Sequence, residues 1–467
     1  MIDFKNKKVV VVRIGLLGRG VGDAKWLAKN GAEVLVVDDA PKEVMQPSVD
    51  ALKDYSNVKF KFGQYDFADF KNADFVLVGA GAPLDLPVLK ACREAKMVLK
   101  QSAVWFAELS SIPIIGVTGT RGKSTVTHMI HHVISQLTGE KVLLGGNIRG
   151  VSNLCLLDEV KEDSLCVMEL DSWQLQGWGW SQASPQIAVF TNFMEDHLNY
   201  YQTGGRSKEE AMELYFADKA NIFKYQEESG TLVTTPEVFE RAKKLSGISL
   251  GQEIRLVDGS VIPEDILLSM PGAHNRINAA MAFEALKAVG LNDEEIFEGL
   301  ASFPGVPGRL EYLGEKQGVK IYNDNNATTP NATIAGLKAV GNKDDKNIIL
   351  IAGGAYKNID PTLLIDEIDK YCKQLILLPG TGTDRLTESL QNLSINRKVL
   401  EGDIGGVVMQ EAVKAGLAAG QPGDVLLFSP GFASFGMFKN EYERNDEFVR
   451  CVDETLHEDQ PSFTEKV

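Results

Sequence analysis

Cysteine is scarce: five residues in 467, none of them in a C-x-x-C pair. That excludes a cysteine zinc cluster and a dithiol redox motif. An odd count without motif spacing reads as reduced thiols rather than a disulfide framework. Cys155 and Cys166 lie in or beside apolar runs and read as small core residues. Long hydrophobic runs are missing, so no segment approaches the ~20 apolar residues that cross a bilayer as a helix. The opening Met-Ile-Asp-Phe-Lys-Asn-Lys-Lys leads straight into a strand pattern without an apolar leader core, and a cytoplasmic protein is expected. Positive charge is also short, with 48 Lys and Arg against 64 Asp and Glu and a net charge of −16. This excludes wholesale binding to nucleic acid or an anionic membrane. A nucleotide ligand stays open, because it needs only a local positive pocket. Low-complexity segments and short-period repeats are absent as well.

What is present is an alternation of short apolar runs with amphipathic segments of helix length, the pattern of stacked βαβ units. The expected class is α/β, and the length suggests about three domains. The first block has strands at Val9–Val12, Glu33–Asp38 and Asp74–Gly79, with helices near Gly22–Asn30 and Leu86–Ala95. A second begins at Ile112, with strands at Ile114–Val117, Lys141–Leu144, Leu165–Leu170 and Ile187–Thr191 and helices over Lys208–Phe223 and Asn275–Leu286. Ser302-Phe-Pro-Gly-Val-Pro-Gly-Arg309 holds two Pro and two Gly and reads as a linker. The third block has strands at Lys320–Asn323, Asn347–Ala352, Gln374–Leu378 and Val425–Ser429, and a helix over Phe435–Glu454. The expected domains are 1–108, 109–304 and 305–467.

The most informative stretch follows the apolar run Ile112–Val117: Thr118-Gly119-Thr120-Arg121-Gly122-Lys123-Ser124-Thr125, then a segment able to form a helix. Strand, glycine-rich turn, Lys-Ser and helix make a nucleotide-phosphate cradle, since glycines aim backbone N–H groups inward and the helix start adds positive potential. Lys123 would reach the terminal phosphates and the Ser124 hydroxyl would bind Mg²⁺. Val117 stands where the strict pattern has its first Gly, so this is a variant built on Gly119.

Other candidates sit at strand ends. Glu169 closes the strand Leu165–Leu170 and is placed to hold Mg²⁺ through a carboxylate. His197, in Asn192-Phe-Met-Glu-Asp-His197, follows the next strand and suits a metal ligand or a substrate contact. Lys219 shares a helix face with Tyr215 and Ile222 and, taken alone, reads as a surface residue. Asn275 and Asn278 suit either an adenine edge or a helix cap. In the first block, Gly15-Leu-Leu-Gly18-Arg-Gly20-Val-Gly22 follows a strand and Asp38-Asp39 ends the next. Alone, this is a dinucleotide fingerprint, and such a turn is a weak signal.

Together, the Thr118–Thr125 loop, Glu169-Leu-Asp-Ser-Trp-Gln-Leu175, Asn192–His197 and His274-Asn-Arg-Ile-Asn278 resemble the Mur ligase family in order and spacing. Gly308-Arg309-Leu-Glu311, Tyr322-Asn-Asp324-Asn-Asn-Ala-Thr328 and Ser429-Pro-Gly-Phe-Ala-Ser434-Phe435, with Phe438-Lys-Asn440 after it, are most similar to the branch that adds D-glutamate. The Asp-Asn-Pro-Arg and His-His-Pro signatures of other branches are absent. The resemblance implies a Rossmann-like UDP-binding domain, a central P-loop-type ATPase domain and a Rossmann-like C-terminal domain for the incoming amino acid. It implies a monomer that uses ATP and Mg²⁺ to join D-glutamate to UDP-N-acetylmuramoyl-L-alanine through an acyl phosphate, in peptidoglycan precursor synthesis.

By position, the resemblance gives ATP to Gly119, Thr120, Arg121, Gly122, Lys123, Ser124, Thr125, Asn275, Asn278, Arg309 and Asp324. It gives metal to Ser124, Glu169, His197 and Lys219, the last as a carbamylated lysine at a second Mg²⁺. Lys123, Glu169, His197 and Lys219 form the catalytic set. The UDP-substrate falls to Leu16, Leu17, Asp38, Asp39, Gly81, Asn147 and His197, and the amino acid to Thr328, Lys357, Ser434 and Phe435.

Several positions depart from the family pattern. Asn326 stands where a Lys is usual, Asp171 where Ser is usual and Arg13 where Gly precedes the first turn. Tyr356 occupies a loop of smaller residues and Glu441 a place where an aromatic often packs. Asp171 is expected to add negative charge near the metals. Rival readings are the same scaffold with another amino acid or acceptor, a catalytically weakened partner protein, and a nicotinamide dehydrogenase read from the first block alone.

Overall fold

Runs rich in Val, Ile and Leu become parallel strands covered on both faces, which is why they read as continuous apolar stretches rather than alternating ones. The computed structural model describes residues 2–16, 18–79, 81–83, 85–138, 142–245, 250–258, 260–357, 359–390 and 395–457. The architecture is α/β, built on three sheets.

The first sheet comprises β1 (Lys8–Val12), β2 (Glu33–Asp38), β3 (Val58–Phe62), β4 (Phe75–Val78) and β5 (Leu99–Lys100), with α1 (Arg19–Lys29), α2 (Lys42–Asp50), α3 (Pro87–Glu94) and α4 (Ser102–Ser110). All its pairings are parallel, in the order β3-β2-β1-β4-β5. The second contains β6 (Ile114–Thr118), β7 (Leu143–Gly146), β8 (Cys166–Glu169), β9 (Ile187–Phe190), β10 (Thr231–Thr234) and β11 (Glu253–Leu256). Its helices are α5 (Lys123–Thr138), α6 (Ser172–Ser181), α7 (Leu198–Tyr201), α8 (Lys208–Ala220), α9 (Pro236–Ala242), α10 (Ala273–Val289) and α11 (Asp293–Ser302). The order β11-β10-β9-β6-β8-β7 sets the loop after β6 between the ends of β9 and β8.

The third sheet has β12 (Glu311–Lys316), β13 (Val319–Asn323), β14 (Ile348–Gly353), β15 (Cys372–Leu378), β16 (Asn396–Val399) and β17 (Val425–Phe428), in the order β12-β13-β17-β14-β15-β16. Only the edge pair β12 and β13 is antiparallel. Its helices are α12 (Pro330–Val340), α13 (Thr362–Tyr371), α14 (Thr381–Ser389), α15 (Gly405–Ala419) and α16 (Glu441–His457). The chain separates into two compact units: residues up to Leu267 with Arg276–Phe303, carrying the first two sheets, and Leu268–Asn275 with residues from Pro304 on, carrying the third.

Most expected strands are present within a residue or two. The strand expected at Lys141–Leu144 runs Leu143–Gly146, with Lys141 outside the described residues. The helix expected over Phe435–Glu454 begins only at Glu441. Gly436 takes a left-handed φ of 99°, and the Asn440 carboxamide oxygen accepts from Tyr442 N at 3.0 Å and Glu443 N at 2.9 Å. That side-chain cap starts the helix where the apolar pattern alone gives no start. Cys166 is buried as expected, whereas Cys155 is only partly buried, its thiol donating to Gly22 O at 3.3 Å.

Within the first unit, α1 is tied to the segment after β7. The buried Asp23 carboxylate accepts from the Ser152 hydroxyl at 2.6 Å and from Leu154 N at 3.1 Å. Trp26 Nε1 donates to Asp158 at 2.9 Å. Burial raises the Asp23 carboxyl above its ordinary range. Replacing Asp23 by Ala leaves a buried hydroxyl and a buried N–H without their acceptor, and should destabilise the unit by about 2–3 kcal/mol. Asp23→Asn keeps an acceptor of the same shape and should cost far less. Urea unfolding of both variants checks this, and an Asn variant as unstable as the Ala variant would show that the network does not hold α1.

Candidate active site

The site of the first unit grows from the turn after β6. Gly119 (φ 145°) and Gly122 (φ 81°) both lie in backbone regions that side chains rarely enter. The space is closed too: a Cβ on Gly119 would stand 2.0 Å from Thr191 Oγ1, and one on Gly122 would stand 2.4 Å from Asn278 Oδ1. Helix α5 begins at Lys123, so the positive end of its dipole lies under the turn. The turn is clamped from the end of β9. Asn192 O accepts from Thr120 N at 2.9 Å, and Asn192 Oδ1 accepts from Arg121 N at 2.8 Å. The Thr191 hydroxyl donates to Arg121 O at 2.5 Å. Met194 N donates to Thr120 Oγ1 at 3.0 Å. The side chains of Thr191 and Asn192 are absent from the sequence-based site set. Asn192 belongs to a quoted motif, but only the sheet order, which places β9 beside β6, reveals what it grips.

Two lysine side chains meet on one carbonyl. Lys123 Nζ donates to Gly119 O at 3.1 Å and to Thr120 O at 3.2 Å. Lys219 Nζ donates to the same Gly119 O at 2.8 Å and to Thr118 Oγ1 at 3.2 Å. Lys219 is 1% exposed, which overturns its reading as a surface residue. Helix α8 turns it inward beside Tyr215, whose ring centroid is 5.1 Å from Nζ. Burial, with Lys123 second, drives the Lys219 amine far below the usual lysine range, while Asp171, Asp196 and Glu169 pull the other way. Burial and the neighbouring Lys123 thus favour the neutral form of the Lys219 amine.

The carboxylates lie past β8. Glu169 is buried and accepts from Asn147 Nδ2 at 3.4 Å, while its backbone oxygen accepts from Asn147 N at 2.7 Å. Arg19 NH1 donates to Asn147 Oδ1, so a line of contacts runs from the first glycine-rich turn to Glu169. Asp171 is the N-cap of α6, accepting from Gln174 N at 2.7 Å within a capping box. Its charge is thus partly committed to the helix start, a use that its expected role as added charge near the metals leaves out. His197 precedes α7 with a left-handed φ of 55°, its ring edge-on to Trp173 at 4.6 Å and to Tyr215 at 5.7 Å. Burial lowers its imidazole to about 4 against a partly opposing Asp196, leaving the neutral form that can ligate a metal.

Among the described residues, no three His, Cys, Asp or Glu side chains gather to hold a metal alone. Mg²⁺ does not need that, since it binds through one or two carboxylates, waters and substrate phosphates. A buried carboxylate, a hydroxyl and a phosphate cradle match that donor set.

Of the nucleotide-sugar candidates, Leu16 is 54% exposed, and Leu17 lies outside the described residues. Asp38 is buried, folded onto Ala40 N at 3.0 Å, and raised by burial. Asp39 is gripped by Arg13 and held below the usual carboxylate range by that bond. A Cβ on Gly81 would meet nothing within 4 Å.

In the second unit, the buried Asp324 carboxylate accepts from the Ser429 hydroxyl at 2.8 Å and from Leu310 N at 3.3 Å. Arg309 lies beside Leu310, at the mouth of β12. Lys357 Nζ donates to Thr328 Oγ1 at 3.0 Å, bringing two of the amino-acid candidates together. Ser434 is buried, whereas Phe435 is 61% exposed. Asn275 donates to Pro271 O at 2.9 Å, a bond that belongs to the helix start, while Asn278 of the first unit faces the turn at Gly122.

Residues 117–249 match the Mur ligase middle domain, and 308–432 match the Mur ligase glutamate ligase domain. The UDP-N-acetylmuramoylalanine–D-glutamate ligase of Roseiflexus sp. is 31% identical, over 96% of this chain and 98% of the relative. The chain belongs to the Mur ligase family. The enzyme of the same name from Clostridium kluyveri is 31% identical, over 97% of this Mur ligase and 98% of its own length. Solved structures share the fold: a UDP-N-acetylmuramate-alanine ligase from Thermotoga maritima (TM-score 0.57, 17% identity, 96% of this chain and 99% of that one). A MurF ligase from the same organism with ADP bound gives a TM-score of 0.54 at 16% identity, over 97% and 96%.

Burial raises the Asp324 carboxyl to about 7. The folded state therefore holds a proton that the unfolded chain releases near pH 4. The stability contributed is full below the unfolded value and is lost as pH rises to about 7. Asp324→Asn, neutral throughout, should gain on wild type between pH 4 and pH 8 by a few kcal/mol, at about 1.4 kcal/mol per pKa unit. Urea unfolding of both proteins across that range checks it, and a pH-independent difference would contradict a protonated Asp324.

Proposed function

We propose that this Mur ligase joins D-glutamate to UDP-N-acetylmuramoyl-L-alanine with hydrolysis of ATP to ADP and phosphate. The observation that carries the chemistry is the meeting of Lys123 and Lys219 on Gly119 O, with the buried Glu169 among the carboxylates that act on Lys219. The substrate identities rest on the relatives, matched over nearly their whole length. The domain limits 1–108, 109–304 and 305–467 are part of the same reading, each range holding one sheet. The absence, among the described residues, of a helix long and apolar enough to cross a membrane suits the same reading, which takes the protein to be a cytoplasmic monomer that binds neither nucleic acid nor membrane.

In this reading the turn and the start of α5 bind the ATP phosphates, and Lys123 leaves the turn carbonyls for the β- and γ-phosphates. The substrate carboxylate attacks the γ-phosphorus, the bond to ADP breaks, and an acyl phosphate forms. The amine of D-glutamate then attacks the acyl carbon, phosphate leaves, and the amine proton is lost. Two anions must approach in the first step, so cations that offset their repulsion are the main source of rate. Ser124 and Glu169 would hold one Mg²⁺, and His197 and Lys219 a second; bound there, the ions neutralise developing charge on phosphate oxygens. A neutral Lys219 amine is the form that adds to CO₂, with N–C bond formation and loss of a proton, giving a carbamate able to ligate metal. Asn278 beside the turn suits the adenosine end of ATP, and Arg309 with Asp324 the ribose. Lys357 beside Thr328 suits a carboxylate of the incoming amino acid.

Phosphate release from ATP with UDP-N-acetylmuramoyl-L-alanine should require D-glutamate among a panel of D- and L-amino acids. Lys123→Ala should lower it by at least ~10³-fold, the scale of losing one charge-stabilising group. Release with a different amino acid would move the specificity, and release with none would favour a weakened partner protein.

A further inference from the structure

The order β3-β2-β1-β4-β5 grows outward from β1 to one side and then crosses to β4 on the other. The switch between β1 and β4 opens a crevice at the carboxyl ends of the strands, where ligands enter open parallel sheets. Arg13 is the first residue past β1, and it bridges that crevice. Its NH1 donates to Gly81 O, past β4, at 3.1 Å. Its Nε and NH2 grip both oxygens of Asp39, past β2, at 2.8 Å and 2.7 Å. Tyr65 OH donates to the same carboxylate at 3.0 Å. Arg13 holds a left-handed φ of 55°, uncommon for a residue with a side chain, and its N–H donates to Val37 O at 2.9 Å. Strain of this kind gathers at functional sites. The crevice has room, since a Cβ on Gly15, Gly18 or Gly81 would meet nothing within 4 Å.

Charge sets what this arrangement must do. Two adjacent aspartates, Asp38 and Asp39, sit at the mouth of a crevice that the function proposed above gives to a UDP-sugar, and alone they would repel its diphosphate. A guanidinium fixed by Asp39 at one edge keeps further donors in its planar fork for phosphate oxygens. We propose that Arg13 binds the diphosphate of the nucleotide-sugar substrate, moving its NH1 contact from Gly81 O to the ligand, and that Asp39 orients Arg13 rather than touching the substrate itself. This rests on the function proposed above.

The test is calorimetric titration of UDP into the full-length wild type, Arg13→Gly and Arg13→Lys, with the KM for ATP measured in parallel. Gly is at ease at a φ of 55°, so Arg13→Gly relieves backbone strain and its folding is not at issue. The expected result is a 10- to 100-fold weaker UDP affinity in Arg13→Gly, partial retention in Arg13→Lys, and an unchanged KM for ATP. UDP binding to Arg13→Gly as tightly as to wild type, or more tightly, overturns the assignment and makes Arg13 a latch. Wild type that fails to bind UDP overturns the functional reading and this assignment with it.

Discussion

The first unit is organised around a conflict of like charges. Two lysine side chains, Lys123 from the start of α5 and Lys219 from the buried face of α8, converge on a single carbonyl oxygen. In water such a pair would separate. Here Lys219 is buried against the Tyr215 ring, and that burial together with Lys123 pushes its amine toward the neutral form. Two lysine side chains on one carbonyl, with Glu169 and Asp171 acting on Lys219, make a pocket suited to an incoming polyanion. The same burial that makes Lys219 costly as a structural residue makes it chemically available.

The remaining features keep that balance in place. The turn cannot relax, because Gly119 and Gly122 are packed against Thr191 and Asn278 and the end of β9 takes up the Thr120 and Arg121 N–H groups. The turn so fixed lies at the start of α5, where the positive end of the helix dipole acts. On the other side, Arg19, Asn147 and Glu169 connect the first sheet's glycine-rich turn to the carboxylate of the second. Asp23 and Trp26 fix the helix that carries Arg19 to the segment beyond β7. A shift at the first sheet's glycine-rich turn would thus be felt at Glu169 through hydrogen-bonded parts.

Much of this was legible in the residues. Apolar runs located the parallel strands, and the Gly-x-x-Gly-Lys-Ser turn gave its own chemistry because glycine and lysine mean much the same wherever a strand feeds a helix. Lys219 was not legible from helical spacing alone. The face it shares with Tyr215 and Ile222 is the buried face, and periodicity cannot say whether a lone lysine on it is tolerated at the rim or driven inside. Asn192 was hidden for a different reason: strand order is a tertiary fact, and only the neighbourhood of β9 and β6 makes its amide a clamp. The start of α16 was missed because one asparagine cap outweighs an apolar pattern that continues through Phe435 and Phe438.

The departures from the family pattern bear on whether the chain is still a ligase, and their surroundings favour that it is. Asp171 replaces a serine, yet Asp and Ser are about equally good N-caps, and its carboxylate is engaged by Gln174 N within a complete capping box. Burial raises that carboxyl, with Lys219, Lys123 and Arg19 opposing, so part of the added charge is absorbed at the helix start rather than set against phosphate. Asn326 lacks the cation usual at its place. Its amide donates to Pro307 O at 3.2 Å and its N–H to Gly308 O at 2.9 Å, so it braces the segment that carries Arg309. A chain drifting out of use would have no reason to keep Asp171 and Asn326 in working bonds while Lys123, Glu169, His197 and Lys219 all stay. The pattern is that of a site adjusted around a retained core, with Asp171 and Asn326 each held in hydrogen bonds of their own.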